Sequence, residues 1–393
     1  MVRGVLVGVV LSVALTGAAC SSTPESAPAP SSASSSPTPS PPTSASVVVP
    51  PSTTPPAAAP VTVDPAGRAL DEYLGGMAAE QQFRGAVEVR RGADVLLRKG
   101  YGNADVGTAT PVTPDTRFQI GSLTKQFTAA AVLRLQEQGK LRVTDPVCAH
   151  LADCPPEWAP ITVDQLLTHT SGLYNYTEAG EDEAKPFLNR HVVPQELVDY
   201  VKGKPLDFTP GTRWKYSNSG YVVLGVLVER LSGVDYATFL RQQLFDPLGM
   251  RDTGYDTVRS PRANGYTDWT TPGEDDVSLY FAAGGVLSTT GDLARWNAFL
   301  LADKPGVISS TSLAAMMSPH ADIPGTQVHY GYGIEVHGGG ADLTYAHGGL
   351  VTGYRCENTI RPSDDLSVTV LTNLSTNDPA SISGHLVELV GHP

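Results

Sequence analysis

The segment RFQIGSLTKQF, residues 117–127, places a serine and a lysine three positions apart, where a strand-like run gives way to a helical one. At the start of a helix, Ser122 and Lys125 would share one face. A lysine whose pKa is lowered by burial can take the proton of a serine hydroxyl and make the oxygen a nucleophile. Lys125 is the only lysine in the chain with a serine three positions before it. The alternative is an ordinary helix start, where serine is common.

The elements that must position this pair are predicted from residues 63–393, whose composition is globular, without repeats or linkers. Segment 85–102 alternates apolar and polar residues around a Gly-Ala-Asp turn, so we expect an early hairpin and expect strands to open the unit. Apolar runs between glycine and polar residues predict buried helices, and shorter runs near the C-terminus predict strands. The helical segments are 125–138, 216–233, 288–303 and 381–390, and the strand segments are 342–349, 354–360 and 366–373.

Strands near both ends of the unit, with helices between them, determine the fold class that we predict. We expect a mixed α/β fold of the α+β type, in which a mostly antiparallel central sheet is built from both termini. Helices cover the faces of this sheet, and a largely helical region is inserted between its two halves.

Five segments occur in order along this unit: QIGSLTKQFTAAAVL, ITVDQLLTHTSGL, WKYSNSGYVVLGVLVE, FAAGGVLSTTGDLARW and YAHGGLVTGY. Together they resemble the serine β-lactamase family in its class C branch, from about residue 70 to residue 375. That branch includes class C β-lactamases, D,D-peptidases, D-aminopeptidases and related esterases. The resemblance implies a β-lactamase/transpeptidase-like fold and an acyl-enzyme mechanism without a cofactor.

The resemblance also implies roles for individual residues. Ser122 is expected to be the acylating nucleophile and Lys125 its base. Tyr216 is expected to shuttle the proton with Lys125, and a nearby ammonium should lower the pKa of its phenol. Asn218 is expected to hold the substrate carbonyl or Lys125 itself. The Tyr-x-Asn spacing also occurs at residues 101–103, so the flanking sequence, rather than the spacing, favours Tyr216.

The third motif of β-lactamases, Lys-Thr-Gly on a strand edge, is best matched by His347, Gly348 and Gly349. Two glycines would let a substrate approach the strand closely. His347 would serve as a hydrogen-bond donor or a partial cation near neutral pH. A rival match, HGGGADL, begins at His337, and its glycine run is typical of a hairpin turn. The segment GLVTGY, which follows His347, favours the later match.

By the same resemblance, the backbone N–H groups of Ser122 and Leu350 are expected to hold the oxyanion of the reaction. The segment LLTHTSGL is a family marker without an evident catalytic duty. We expect its polar residues, His169, Thr170 and Ser171, to act as hydrogen-bonded loop anchors.

The first part of the chain predicts export. Arg3 precedes an uncharged apolar run, Val5–Ala19, and small residues stand just before Cys20. We therefore expect residues 1–19 to be a signal peptide and Cys20 to be lipidated, which would anchor the protein on the outer face of the cell membrane. An ordinary secretory signal is the alternative. Residues 20–62 are rich in serine, proline, threonine and alanine, which predicts a disordered tether.

The other three cysteines would then lie in an oxidising compartment. Cys148 and Cys154 occur in one proline-bounded loop, VCAHLADCPP, which favours a local disulfide. Cys356 is expected to be a half-buried strand residue. No CxxC or HExxH motif occurs, so we expect no metal site and no cofactor.

Charge and motif content exclude or weaken several other functional classes. The net charge is −13 and no basic run exists, so we expect no nucleic acid partner. The α/β-hydrolase interpretation fails because no Gly-x-Ser-x-Gly occurs. A Ser-His-Asp triad stays open, since triads assemble from distant positions, but it leaves the ordered motifs unexplained.

We therefore expect an exported serine hydrolase that acts on an amide or ester through an acyl-enzyme. Its substrate would be a small molecule or a peptide, such as a D-amino acid peptide, a peptidoglycan peptide or a small ester, and β-lactams are less favoured. The alternative is a non-catalytic cell-envelope binding protein that retains the site. The sequence leaves open whether residues 177–190 form a lid.

Overall fold

The computed structural model of the chain describes residues 65–180, 187, 190–255, 262–273, 275–302 and 306–391. Residues Val63–Pro393 form one compact unit. The α-helices used below are α1 Pro65–Ala79, α2 Thr124–Glu137, α3 Val163–Leu167, α4 Pro194–Lys202, α5 Asn218–Ser232, α6 Tyr236–Leu240, α7 Asp246–Leu248, α8 Phe281–Gly284, α9 Thr290–Leu301, α10 Ser310–Met317 and α11 Pro379–Val390.

Strands occur near both ends of this unit. Their bounds are β1 Gly85–Arg91, β2 Asp94–Tyr101, β3 Asn103–Asp105, β4 Thr110–Pro111, β5 Phe118–Gln119, β6 Gly254–Tyr255, β7 Val286–Ser288, β8 Ala321–Asp322, β9 Val328–Tyr330, β10 Glu335–His337, β11 Thr344–Val351, β12 Tyr354–Arg361 and β13 Leu366–Thr372. Eight of them form one sheet in the order β2-β1-β13-β12-β11-β10-β9-β8, and the neighbours in it are antiparallel.

The N-terminal hairpin pairs with the C-terminal strands within this sheet. β1 pairs with β13 over its whole length, from Gly85 opposite Thr372 to Arg91 opposite Leu366. Such pairing between distant parts of the chain is possible because the inserted helical region returns the chain to the same sheet. The predicted sheet built from both termini is confirmed.

The expectation that strands open the unit is wrong, because helix α1 precedes the hairpin. Leu70 and Leu74, one helical turn apart, are fully buried against an apolar cluster that includes Val87 and Val368. Gly67 lets the helix approach closely, since a Cβ atom there would lie 2.3 Å from the carbonyl oxygen of Leu96. Helix α1 therefore covers the face of the sheet that α11 also covers.

The other face of the sheet packs against the helical region. Asn297 of α9 donates a hydrogen bond to Asn358 of β12 across this interface, over 2.9 Å. Cys356 also lies on β12, and it is fully buried rather than half-buried as expected. Its thiol contacts the carbonyl oxygen of Ile120, at 2.9 Å, because the turn before α2 packs directly against the strand. Burial raises the pKa of this thiol.

Helices α2 and α5 form the centre of the helical region. Eleven of the fourteen residues of α2 are buried, as its alanine-rich sequence predicts. Helix α5 ends at Ser232 and is followed by Gly233, which adopts the left-handed conformation typical of a helix C-terminus. Cys148 and Cys154 form a disulfide in the loop beyond α2. Within the described part of the chain, no helix is long and apolar enough to cross a membrane.

Candidate active site

Ser122 lies where the chain changes from strand to helix. The short strand β5 is followed by a single 3-10 turn, Gly121–Leu123, and then by α2. Gly121 has a φ of +50°, a conformation that glycine adopts at little cost. The turn leaves Ser122 partly exposed at the beginning of an otherwise buried helix.

Lys125 is completely buried one turn after Ser122. Its side-chain nitrogen lies 3.0 Å from Ser122 Oγ, 2.8 Å from Asn218 Oδ1 and 2.7 Å from the carbonyl oxygen of Ala283. Burial lowers the pKa of this amine well below its ordinary value. A neutral amine has two N–H groups and one lone pair. Because two contacts are oxygens that only accept hydrogen bonds, the lone pair is left for the hydroxyl of Ser122.

Tyr216 approaches Ser122 from the opposite direction. Its phenol donates a hydrogen bond to Ser122 Oγ over 2.8 Å. The expectation of a lowered pKa is wrong: burial raises the pKa of this phenol, and the negative charge of Glu335 adds to the effect. A nearby ammonium would act the other way, but Lys125 is itself driven towards the neutral form. Tyr216 is therefore a phenol that can donate a proton, rather than a phenolate base.

Asn218 is the first residue of α5, and both ends of its amide are occupied. Its Oδ1 accepts from Lys125, and its Nδ2 donates to Thr177 Oγ1 over 3.0 Å. Its backbone N–H donates to Asn175 Oδ1. Asn218 was expected to hold either the substrate carbonyl or Lys125, and the observed hydrogen bond is to Lys125.

His347 lies on β11 and is also buried, with only 3% of its surface exposed. Its Nδ1 lies 2.6 Å from the carbonyl oxygen of Gly348, so Nδ1 must carry the proton, and Nε2 then accepts from the phenol of Tyr330 at 2.9 Å. Burial lowers the pKa of the ring, against opposing effects of Glu335 and of the hydrogen bond to Gly348. The lowered pKa favours a neutral ring for His347 over the expected partial cation.

The glycines after His347 allow close contact between β11 and the turn of Ser122. Strand β10 pairs with β11 only from Thr344 to Ala346, so the backbone edge beyond Ala346 has no pairing with β10. A Cβ atom at Gly349 would lie 2.0 Å from the carbonyl oxygen of Ile120.

The same contact places two backbone groups close together. A Cβ atom at Gly121 would lie 2.7 Å from the backbone nitrogen of Leu350. The N–H of Leu350 thus lies against the residue that precedes Ser122. Leu350 itself is 52% exposed, so a substrate can reach this point of the strand.

The rival matches to the third motif and to the Tyr-x-Asn motif lie in ordinary structural positions. His337 is the last residue of β10, and a 3-10 turn that begins at Gly340 leads into β11. Tyr101 lies on β2, where its phenol donates to Asp71 at 2.8 Å, and Asn103 lies on β3. Neither match contributes to the cluster around Ser122.

Several residues of the site were not identified from the sequence. Ala283 contributes a backbone carbonyl, and such a role leaves no signal in residue type, although FAAGG was recognised as a motif. A single hydrogen bond joins Tyr330 to His347, and another joins Thr177 to Asn218. Both bonds connect residues that are not neighbours in the sequence. Most of the possible lid, residues 181–186 and 188–189, lies outside the described residues.

The family-marker loop after α3 also reaches the site. The hydroxyls of Thr170 and Thr168 share a hydrogen bond, and Ser171 Oγ accepts one from the backbone N–H of Leu173. His169 is buried, and its ring centroid lies 4.3 Å from that of Tyr216. Among the described residues, no group of three or more His, Cys, Asp or Glu side chains is arranged to hold a metal ion.

The chain is similar to known proteins over most of its described part. Residues 70–391 match the model of the family described as Beta-lactamase. Penicillin-binding protein 4* of Bacillus subtilis is 32% identical over 278 residues, which are 65% of this chain and 60% of that protein. A D-aminopeptidase of Brucella anthropi is 29% identical over 302 residues, 74% of this chain and 56% of that enzyme. The chain thus spans less than two thirds of either relative.

A solved structure extends the comparison to the fold. The D-stereospecific amidohydrolase of a Streptomyces species superimposes with a TM-score of 0.69 at 26% sequence identity. The match covers 81% of this chain and 97% of that enzyme.

Proposed function

The chain belongs to the beta-lactamase family of serine hydrolases, and on this premise we propose that Ser122 attacks an amide or ester carbonyl and forms an acyl-enzyme. The environment of Lys125 carries the proposal. A buried amine with two carbonyl oxygens as acceptors and a serine hydroxyl at 3.0 Å is arranged to act as a base. These steps require no metal or cofactor.

Acylation begins when the neutral amine of Lys125 takes the proton of Ser122 Oγ, while the oxygen bonds to the substrate carbonyl carbon. The resulting oxyanion is stabilised by the backbone N–H groups of Ser122 and Leu350. The proton then passes from Lys125 to the leaving group through the phenol of Tyr216, and the carbonyl bond to that group breaks. Because burial raises the pKa of Tyr216, the phenol acts as a relay that stays protonated between transfers.

Deacylation uses the same groups in reverse. A water molecule gives its proton to the relay of Lys125 and Tyr216 and attacks the ester carbon. The proton returns to Ser122 Oγ as the acid leaves. Asn218 keeps Lys125 in place throughout, since its Oδ1 accepts from the amine at 2.8 Å.

We propose D-amino acid peptides or amides, peptidoglycan peptides or small esters as substrates, rather than β-lactams. The similarity to a D-aminopeptidase and to a D-stereospecific amidohydrolase supports D-configured amides. The lowered pKa of His347 makes β-lactams the less favoured substrates, because a neutral ring offers no cation to a substrate carboxylate.

A fluorophosphonate probe tests the proposal. Residues 63–393 are exposed to the probe, and the intact masses of wild type and Ser122→Ala are compared. Ser383→Ala is a matched control, since Ser383 is a buried serine that binds Thr359 on the far side of the sheet. An adduct on wild type and on Ser383→Ala, but not on Ser122→Ala, is the expected result. A folded wild type without adduct would overturn the proposal and favour a binding protein.

The substrate class has its own test. D-alanine 4-nitroanilide, its L-enantiomer, 4-nitrophenyl acetate and a chromogenic cephalosporin are compared as substrates by kcat/KM. Turnover of the D-anilide or of the acetate in preference to the cephalosporin is expected. Preference for the cephalosporin would contradict the proposed substrate class while leaving the acyl-enzyme proposal intact.

We also propose that the protein is exported and held on the outer face of the cell membrane by a lipid on Cys20. The apolar run Val5–Ala19 and the small residues before Cys20 support this proposal. Metabolic labelling with a radioactive fatty acid should label the full chain but not Cys20→Ser. An unlabelled wild type recovered from the culture medium would indicate plain secretion.

A further inference from the structure

His169 has an unusual backbone and an unusual environment. Its φ of +60° lies in the left-handed region, and its side chain is 1% exposed. The rings of four aromatic residues surround the imidazole, with centroids at 4.3 to 5.9 Å: Trp214, Tyr216, Tyr221 and Tyr330. A non-glycine residue is held in such a conformation only where the surrounding structure requires it.

The stretch that carries Tyr216 has no regular structure of its own. Residues 213–217 belong to neither a helix nor a strand, so their backbone N–H groups must find partners elsewhere. The two N–H groups that flank Tyr216 both bind His169. The N–H of Lys215 donates to its carbonyl oxygen over 3.0 Å, and the N–H of Ser217 donates to its Nδ1 over 3.2 Å.

The ring of His169 must be neutral to make this contact. Since Nδ1 accepts from the N–H of Ser217, the single ring proton belongs on Nε2, which has no hydrogen-bond partner among the described residues. Burial lowers the pKa of the ring well below its ordinary value. An imidazolium would lose the bond to Ser217.

We infer that His169 is a positioning residue that clamps the backbone on both sides of Tyr216 and thereby keeps its phenol on Ser122. The inference rests on the proposed acyl-enzyme function. His169 touches neither Ser122 nor Lys125 through a hydrogen bond, so its effect must pass through Tyr216. Its family-marker loop is thus more than the local anchor that the sequence suggested.

Two substitutions at position 169 separate the clamp from the backbone conformation. Asparagine and glycine both tolerate a positive φ, and both remove the ring. Only His169→Asn keeps an acceptor near the position of Nδ1. The variants are compared by the rate at which fluorophosphonate labels Ser122, with melting temperature and near-ultraviolet circular dichroism as controls for folding.

The expected pattern is specific. His169→Gly should label about 10- to 100-fold more slowly than wild type, because misplacing a reacting group by about 1 Å costs on the order of 100-fold in rate. His169→Asn should stay within about threefold of wild type. In a Tyr216→Phe background, His169→Gly should slow labelling by less than about threefold, because residues that act as a unit are not additive.

Three outcomes would overturn the inference: wild-type labelling in His169→Gly, equally slow labelling in both variants, or a full additional loss in the Tyr216→Phe background. If His169→Gly does not fold, a measurement on the wild-type protein still tests the inference. Its long-range proton–nitrogen NMR spectrum must show a neutral His169 ring protonated on Nε2, and a ring protonated on Nδ1 would contradict the clamp. Failure of wild type to label at all would instead overturn the proposed function.

Discussion

The side-chain nitrogen of Lys125 lies 3.0 Å from the hydroxyl oxygen of Ser122, one helical turn earlier in the chain. The amine is completely buried, and its hydrogen bonds go to Ser122, to the amide of Asn218 and to the backbone of Ala283, none of which carries a negative charge. Burial without a counter-charge favours the uncharged amine. The base required for acylation is therefore prepared before any substrate binds.

This arrangement predicts the pH dependence of activity. The protonated lysine has no lone pair for the Ser122 proton, so the acylation rate should rise with pH as Lys125 loses its proton. Because burial lowers its pKa, the rise should be complete well below the ordinary lysine value of 10.5. The measurement is the fluorophosphonate labelling rate of wild type between about pH 4 and pH 12, a range that spans the ordinary lysine and histidine values.

Two variants serve as controls for this profile. Lys125→Arg should lose at least about 1000-fold in rate at every pH, because a guanidinium cannot be deprotonated in a protein. His347→Gln should show the same rise of the labelling rate with pH as wild type, because the rise comes from Lys125 and not from His347. A wild-type rate whose midpoint lies at the ordinary lysine value of 10.5 would show that Lys125 is an ordinary, charged lysine.

Gly121→Ala should separate the oxyanion contact from backbone strain. A methyl group there would lie 2.7 Å from the nitrogen of Leu350, and it would push β11 away from the turn of Ser122. We expect the labelling rate to fall about 100-fold, the size of effect seen when one oxyanion donor is displaced. The free energy of unfolding should fall by about 1–2 kcal/mol, because alanine is disfavoured at a φ of +50°.

Gly139→Ala is the matched control for this substitution. Gly139 also has a positive φ, +70°, but no atom lies within 4 Å of the place that a Cβ atom would take there. It should lose a similar amount of stability and keep the wild-type labelling rate. Equal losses of rate in both glycine variants would mean that strain, and not the position of Leu350, limits the reaction.

Removal of the disulfide should affect stability and leave the chemistry unchanged. Cys148 and Cys154 are six positions apart, and closing so short a loop stabilises a fold by about 2 kcal/mol. The free energy of unfolding of the double variant Cys148→Ser/Cys154→Ser should therefore be lower by that amount. Its midpoint of unfolding in urea should fall accordingly. Its labelling rate should equal that of wild type, and a large loss of rate would show that the loop supports the active site.

The part of the site that is local in sequence could be predicted from the sequence. The Ser122–Lys125 pair depends only on helical spacing, and the disulfide joins cysteines in one loop. The antiparallel sheet followed from the alternation of apolar and polar residues in segment 85–102 and from the short apolar runs near the C-terminus, both of which are typical of strands. Helix α1 was missed although Leu70, Tyr73, Leu74 and Met77 recur at amphipathic helical spacing, since the adjacent Gly75 and Gly76 are unfavourable inside a helix.

The protonation states and the supporting contacts were decided by the tertiary structure alone. A sequence shows that a lysine, a tyrosine and a histidine are present, but their pKa values depend on desolvation and on groups brought near by folding. Burial favours the neutral amine of Lys125, the protonated phenol of Tyr216 and the uncharged ring of His347. The clamp of His169 on Tyr216 likewise joins residues 47 positions apart, and only folding creates that contact.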